Sequence, residues 1–327
     1  MHDPELHEDL RDLDSGPYPQ WFTEALAVPR RERSTIVDGC DIHFFEWGAP
    51  DEGKPRRPGV VMTHGMMAHA RCWAFIAPRL AQHYHVVAFD LSGMGDSGHR
   101  SGGYTLEQRA AEAVGVAEAC GMYTDDARPA LVCHSYGGTV GLASAELYPD
   151  RFAALIACDM SMSRPGNRSE SFQERVRNRP APRPHRIHPT REAILARFRL
   201  APDQPCANTY LFDYLANHSI READGGYCWK FDPGIFAMDG QRDTTWWDSI
   251  AGRFAGLSLP RGLIYGMNSE LVNADATDYV CALTEDFIPV RGIADAWHHL
   301  MLDQPLHLTQ AIRDTLSDLS VGTPITG

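Results

Sequence analysis

The stretch CHSYGG places Ser135 between His134 and Tyr136 and ahead of Gly137-Gly138. The apolar run before it reads as a strand and the residues after it as a helix, so Ser135 stands at the apex of a strand-to-helix turn. A serine in that position has strained backbone angles and needs small neighbours. The two glycines meet the need on one side and the fairly small Cys133 on the other, where a G-x-S-x-G pattern would have its first glycine. The helix that follows aims its free N–H groups and positive dipole end at the same spot, which suits a developing oxyanion. The competing reading is a serine that only caps a helix. Upstream, MTHGMM sets His64-Gly65-Met66 at the end of another strand. There the Met66 N–H would join the Tyr136 N–H as a second oxyanion donor, with His64 as a structural hydrogen-bonding residue. Downstream, ADAWHHLMLDQP carries His298 and His299. A histidine that takes the serine proton must sit on a loop able to reach Ser135 Oγ.

Three short apolar runs would carry these groups: GVVMTHG (59–65), HVVAFDLSG (85–93) and PALVCHS (129–135). They are rich in β-branched residues, as strands buried on both faces are. Helix-like segments lie between them, CWAFIAPRLAQH and TLEQRAAEAVGVAEAC, the second with a cap signal at Thr105. A further helix (GTVGLASAELYP) and strand (FAALIACDM) follow, and STIVDGCDIHFFEWG reads as a hairpin turning at Asp38-Gly39. This alternation predicts an α/β fold, a mostly parallel sheet with helices on both faces. From 161 to 247 the rhythm gives way to Arg, Pro and aromatics, with helical periodicity only in TREAILARFRL and TYLFDYLANHSI. It resumes with RGLIYG (261–266), a helix from ADATDYVCALTE, a strand DFIPV and a helix LHLTQAIRDTLSDL. The expected organisation is an N-terminal arm (1–33), a core (34–160 and 248–327) and a helical cap inserted at 161–247.

Of 327 residues, 43% are hydrophobic and 22% charged, ordinary for a globular chain, and the net charge is −13. That balance argues against nucleic acid or an anionic membrane as partner and leaves small neutral or cationic molecules. The first twenty residues lack a secretory pattern and no apolar stretch is long enough to cross a bilayer, so a cytoplasmic location is expected. The arm would pack on a second subunit, as in a homodimer, or on the cap. Eight cysteines without CxxC spacing read as reduced thiols rather than disulfides or a zinc site. DLSGMGDSG (90–98) resembles a nucleotide-binding turn, but it comes late in the sheet and lacks the acidic partner, so it is read as a loop under the site. Trp229, Phe231, Phe236, Trp246 and Trp247 would line an apolar pocket or form the cap's own core. Arg175, Arg177, Arg179, Arg183 and Arg186 read as a solvated charge run rather than a carboxylate receptor.

HGMM, GMGDSG, CHSYGG and the closing histidine-to-proline segment occur in an order that resembles the α/β-hydrolase fold family, with a cap inserted after the sixth strand. The resemblance runs from Ser34 to Leu319. It implies a nucleophile, acid and histidine in that chain order, and the histidine seven residues before Pro305 is His298. It also implies an acid after the strand preceding the histidine segment, where Glu270 in GMNSE fits and Asp275 reads as a helix cap. The rival acid is Asp159, at the end of the strand after the nucleophile. Members that open epoxides carry an aspartate at the elbow, so Ser135 implies acyl chemistry on an ester, lactone, thioester or activated C–C bond beside a carbonyl. Such chemistry calls for no cofactor and no metal. Acyl transfer to another acceptor and a non-catalytic ligand receptor are the alternatives on the same fold.

Overall fold

Asp38 and Gly39, with φ of 47° and 73°, close the expected hairpin. It joins β1 (Arg31–Val37) to β2 (Cys40–Trp47), with Val37 opposite Cys40. The computed structural model describes residues 18–50, 56–167, 170, 174, 183–237, 244–285 and 287–321. Residues 1–17 of the expected arm and Arg175, Arg177 and Arg179 of the charge run lie outside the described residues.

Each apolar run becomes a five-residue strand: β3 (Gly59–Thr63), β4 (His85–Phe89), β5 (Ala130–His134) and β6 (Ala154–Cys158). All their residues are buried, so an alternating polar face was never available to the sequence. Successive side chains go to opposite faces: Val61, Leu131 and Leu155 join one core, and Val60, Val132 and Ile156 join the other. Helix α2 (Leu106–Ala119) begins with a capping box in which Thr105 and Gln108 satisfy each other's backbone N–H, and α3 (Tyr136–Leu147) follows Ser135 directly. CWAFIAPRLAQH is not one helix. It breaks into a turn at Ala70–Trp73 and another at Ala77–Leu80, because Pro78 cannot donate within a helix and is accepted only in a first turn.

The inserted region contains α4 (Thr209–His218) but also a hairpin of β7 (Ile220–Ala223) and β8 (Gly226–Trp229), so it is not purely helical. These strands are too short and too exposed to leave a readable alternation. After α5 (Thr244–Ala255) the chain returns to the main sheet as β9 (Arg261–Gly266), followed by α6 (Ala274–Leu283), β10 (Val290–Ile293) and α7 (Pro305–Asp318). The last strand overlaps the expected DFIPV only at its final residue: Phe287 is 84% exposed and pairing starts at Val290, just after Pro289. The sheet order is β1-β2-β4-β3-β5-β6-β9-β10, parallel from β4 onward. This is the expected α/β architecture.

The described part of the arm is already folded. In α1 (Gln20–Leu26) Phe22 is fully buried, edge-on to Phe75 and to Tyr210 and Tyr214 of the cap helix α4. Pairing also begins at Arg31, ahead of the expected core start at 34. Among the described residues no helix is long and apolar enough to cross a membrane. None of the eight cysteines is joined in a disulfide; Cys206 and Cys281 are half-buried and the others buried. Phe22→Ala is expected to remove about 3–5 kcal/mol of stability, a typical cost for truncating a buried aromatic. A urea midpoint unchanged from wild type would show that α1 is not part of the cooperative core.

Candidate active site

Ser135 occupies a region of backbone space that side chains rarely adopt, φ 55° and ψ −120°, at the junction of β5 and α3. The turn is held from both sides, by Ser135 N–H donating to the Cys158 carbonyl (2.9 Å) and Gly138 N–H to the Ser135 carbonyl (2.9 Å). Ser135 itself is half-buried. The HGMM loop runs alongside: a β-carbon on Gly65 would lie 3.2 Å from Ser135 Cβ. His64 shapes this loop. Its Nε2 accepts from Leu91 N–H (3.1 Å), so its Nδ1 carries the hydrogen and donates to the Gly65 carbonyl (2.8 Å). Burial holds its pKa below the ordinary range, in keeping with a neutral ring and a structural role. Met67 N–H is committed to Met94 Sδ (3.2 Å), and the half-buried Met66 precedes it.

The acid beside His298 is Asp159, not Glu270. His298 Nδ1 lies 2.7 Å from Asp159 Oδ2, and the two residues are 3% and 0% exposed. Asp159 sits one residue past β6 at φ 49° and accepts two more hydrogen bonds, from Gly266 N–H (3.0 Å) and Ser269 Oγ (2.6 Å). The β9 loop therefore turns Ser269 inward and leaves Glu270 exposed. Gly266 is required there: a β-carbon would come within 2.2 Å of the Trp297 carbonyl on the histidine loop. Asp275 is not a cap either. It lies in the first turn of α6, where Asn273 is the N-cap, and meets Asn167 Nδ2 (2.7 Å) and Arg164 (3.5 Å) at the surface.

The other histidines support this centre. His134 Nε2 donates to the His298 carbonyl (2.9 Å), and their ring centroids are 4.8 Å apart. Its side chain thus reaches the histidine loop. Burial, reinforced by the neighbouring His298 and His299, holds His134 well below the ordinary histidine range. His299 is half-buried and held down to about 3, by burial and by His298.

The DLSGMGDSG loop is built on buried Asp90, which accepts from Ala70 N–H (2.6 Å) and Asp96 N–H (3.0 Å) and pairs with His43 Nδ1 (2.8 Å). His43, Asp90 and Asp96 offer ligand atoms within 4.8 Å of one another. Burial opposes a charge on His43, yet its hydrogen bonds to Asp90 and Glu32 push it up to about 9, and a protonated ring is not a metal ligand. Asp96 is paired with Lys230 (2.6 Å), so the cluster reads as an ion-pair network. From the cap, Asp232 N–H donates to the Gly93 carbonyl (2.7 Å) and its carboxylate accepts from Tyr104 Oη (2.5 Å), strapping the insertion to this loop. Phe231, Phe236, Trp246 and Trp247 are half-buried against the cluster holding Met94, Tyr136 and Met160. Trp229 instead packs on Phe198 within the cap, at 6.2 Å between centroids.

Sequence reasoning ranked Asp159 second and did not single out Ser269. A signal existed: an aspartate directly after an uninterrupted buried strand cannot be solvated and must find partners.

Residues 60–310 match the alpha/beta hydrolase family. Epoxide hydrolase 1 of Caenorhabditis elegans is 26% identical over 159 residues, 45% of this chain and 36% of that protein. The putative carbamate hydrolase RutD of Caulobacter vibrioides is 34% identical over 137 residues, 42% of this chain and 47% of that protein. The chain thus spans less than half the length of these relatives. Among solved structures, E-2-(acetamidomethylene)succinate hydrolase superposes with a TM-score of 0.71 at 20% identity, covering 88% of this chain and all (100%) of that one. An M. tuberculosis esterase gives 0.68 at 20% identity, covering 95% and 97%. At such identities the likeness is one of fold.

The buried histidines set an expected pH profile. Unfolded histidines titrate near about 6.5. Burial holds His64 down and His69 down to about 4, so the stability they contribute is present above about 6.5 and is lost as pH falls toward about 4. His43 works in the opposite sense: its contribution is complete below about 6.5 and is lost as pH rises through about 9. Urea midpoints are therefore expected to be highest near neutrality, and His43→Gln is expected to flatten the alkaline decline while leaving the acid one. An unaltered alkaline limb in that variant would refute the assignment.

Proposed function

The chain belongs to the alpha/beta hydrolase family, and we propose that it is a serine-dependent hydrolase of a small, mainly apolar carbonyl compound, an ester, lactone, thioester or activated C–C bond beside a carbonyl. The carrying observation is the buried His298–Asp159 pair at 2.7 Å, on the loop that also bonds to His134, the residue that precedes Ser135 at the elbow. In this reading His298 takes the proton of Ser135 Oγ through Nε2 while Asp159 holds Nδ1–H and stabilises the imidazolium. The freed oxygen attacks the carbonyl carbon, and the Met66 and Tyr136 N–H groups donate to the oxyanion. His298 returns the proton to the leaving group, and a water activated in the same way releases the acid and regenerates Ser135.

Several features support this reading. An epoxide opened by a carboxylate nucleophile would need an acid at the elbow, and the residue is a serine. The commitment of Met67 N–H to Met94 Sδ favours Met66 as the loop donor. The aromatics packed against the core cluster that includes Tyr136 and Met160 favour an apolar acyl or alcohol portion. The net charge of −13 disfavours an anionic macromolecule as partner.

Treatment with a fluorophosphonate is expected to leave one covalent adduct on Ser135, located by mass spectrometry. A folded sample without that adduct overturns the serine mechanism and favours a ligand-binding role. Asp159→Asn is expected to lower kcat on p-nitrophenyl esters by roughly 10³–10⁴-fold, the scale for a triad carboxylate. Glu270→Gln is expected to remain within about twofold of wild type, as an exposed residue should. The reverse ranking would return the role to Glu270.

A further inference from the structure

A polar side chain of the cap, Gln204, reaches the histidine loop. Gln204, in the loop before α4, accepts from the His299 N–H at its Oε1 (2.9 Å) and donates from Nε2 to both oxygens of Asp303 (3.0 Å each). Asp303 in turn accepts from Trp297 N–H (2.8 Å). The residues on either side of His298 are therefore joined through the amide of a residue almost a hundred positions away. Asn208, the N-cap position of α4, adds a second tie by donating from Nδ2 to the Leu302 (2.7 Å) and Asp303 (3.1 Å) carbonyls. Gln204 suits the task because an amide offers an acceptor and a donor a fixed distance apart, one for a backbone N–H and one for a carboxylate.

We propose that Gln204 is a positioning residue for His298, so that the inserted cap takes part in catalysis by holding the base as well as by covering the site. This rests on the serine-hydrolase reading above. Asp159 orients the imidazole through Nδ1 and His134 holds the His298 carbonyl, but neither restrains the two flanking peptide N–H groups. Those restraints come from Gln204 and, through it, from Asp303. A displacement of the cap segment 203–208 would be carried directly to the ring, and small displacements of a catalytic group lower rates steeply.

Gln204→Leu keeps the approximate volume and removes both hydrogen bonds. It is expected to lower kcat on a p-nitrophenyl ester about tenfold or more, with KM within about twofold of wild type. The rate of fluorophosphonate labelling at Ser135 is expected to fall by a similar factor, since that step needs the base but not deacylation. Gln204→Glu provides a readout that packing alone would not move. The introduced carboxylate can still accept from His299 N–H, but against Asp303 it must share a proton. Burial already pushes Asp303 up to about 6, and Asp159, His298 and Cys206 are the titratable groups that face it. Relative to wild type at the same pH, this variant is expected to be near normal at pH about 5.5 and increasingly deficient toward pH about 8.

If wild-type Ser135 labels and both variants keep the wild-type kcat and labelling rate, or if the Gln204→Glu ratio is flat with pH, the positioning role is overturned and the hydrolase reading stands. If wild-type Ser135 does not label, the hydrolase reading fails and this inference fails with it. Should Gln204→Leu not fold, the pH ratio of Gln204→Glu decides alone.

Discussion

A carboxylate with no access to water has to be matched by donors, and the matching of Asp159 organises the candidate site. Its partners come from three places: the peptide that ends β9, a serine in the turn after it, and the histidine on the loop after β10. Each of those segments must be in place for the charge to be tolerated. The sheet order makes this feasible, because β6 and β9 are neighbours and their carboxyl ends open on the same side. The left-handed backbone at Asp159 turns the side chain toward that neighbour, and the missing side chain at Gly266 lets the histidine loop come within contact.

A second buried carboxylate does similar work a few strands away. Asp90 gathers the backbone of the β4 loop and the Ala70 turn around one charge and is answered by His43 from β2. His64 lies between the two systems, bonding to Leu91 on one side and to Gly65 on the other. The loop beside Ser135 is thereby tied to the loop that the cap grips through Asp232. A neutral imidazole can make that connection in both directions because its two nitrogens have opposite roles.

How much of this could be read beforehand depended on how local each cause was. The parallel strands were legible because burial on both faces leaves unbroken runs such as Val60-Val61-Met62, and the hairpin because Asp38-Gly39 has few other uses. The elbow was legible from Ser135 and its glycines, which act within a few residues. The partner of His298 was not, since what separates Asp159 from Glu270 is the adjacency of β6 and β9, and no spacing along the chain records that. The same holds for Gln204, whose partners are set by how the insertion folds back. Pro78 and Pro289 misled in a different way: an apolar run continued through each, but the missing N–H broke the helix at one and delayed the strand at the other.

The insertion leaves the sheet after β6 and rejoins it at β9, and these two strands are hydrogen-bonded neighbours, about 4.8 Å apart in a typical sheet. The chain outside it would need only a short linker to close without it, so the topology treats the cap as a detachable module. The side chains do not: α1 buries Phe22 against it, Asp232 reaches out of it to the β4 loop, and Gln204 and Asn208 reach the histidine segment. A chimera that exchanged this segment for a homologous one would preserve the scaffold's connectivity while severing its polar stitching. Grafting boundaries chosen from strand topology alone would then yield a protein with an intact sheet and a histidine loop that has lost its ties to the cap.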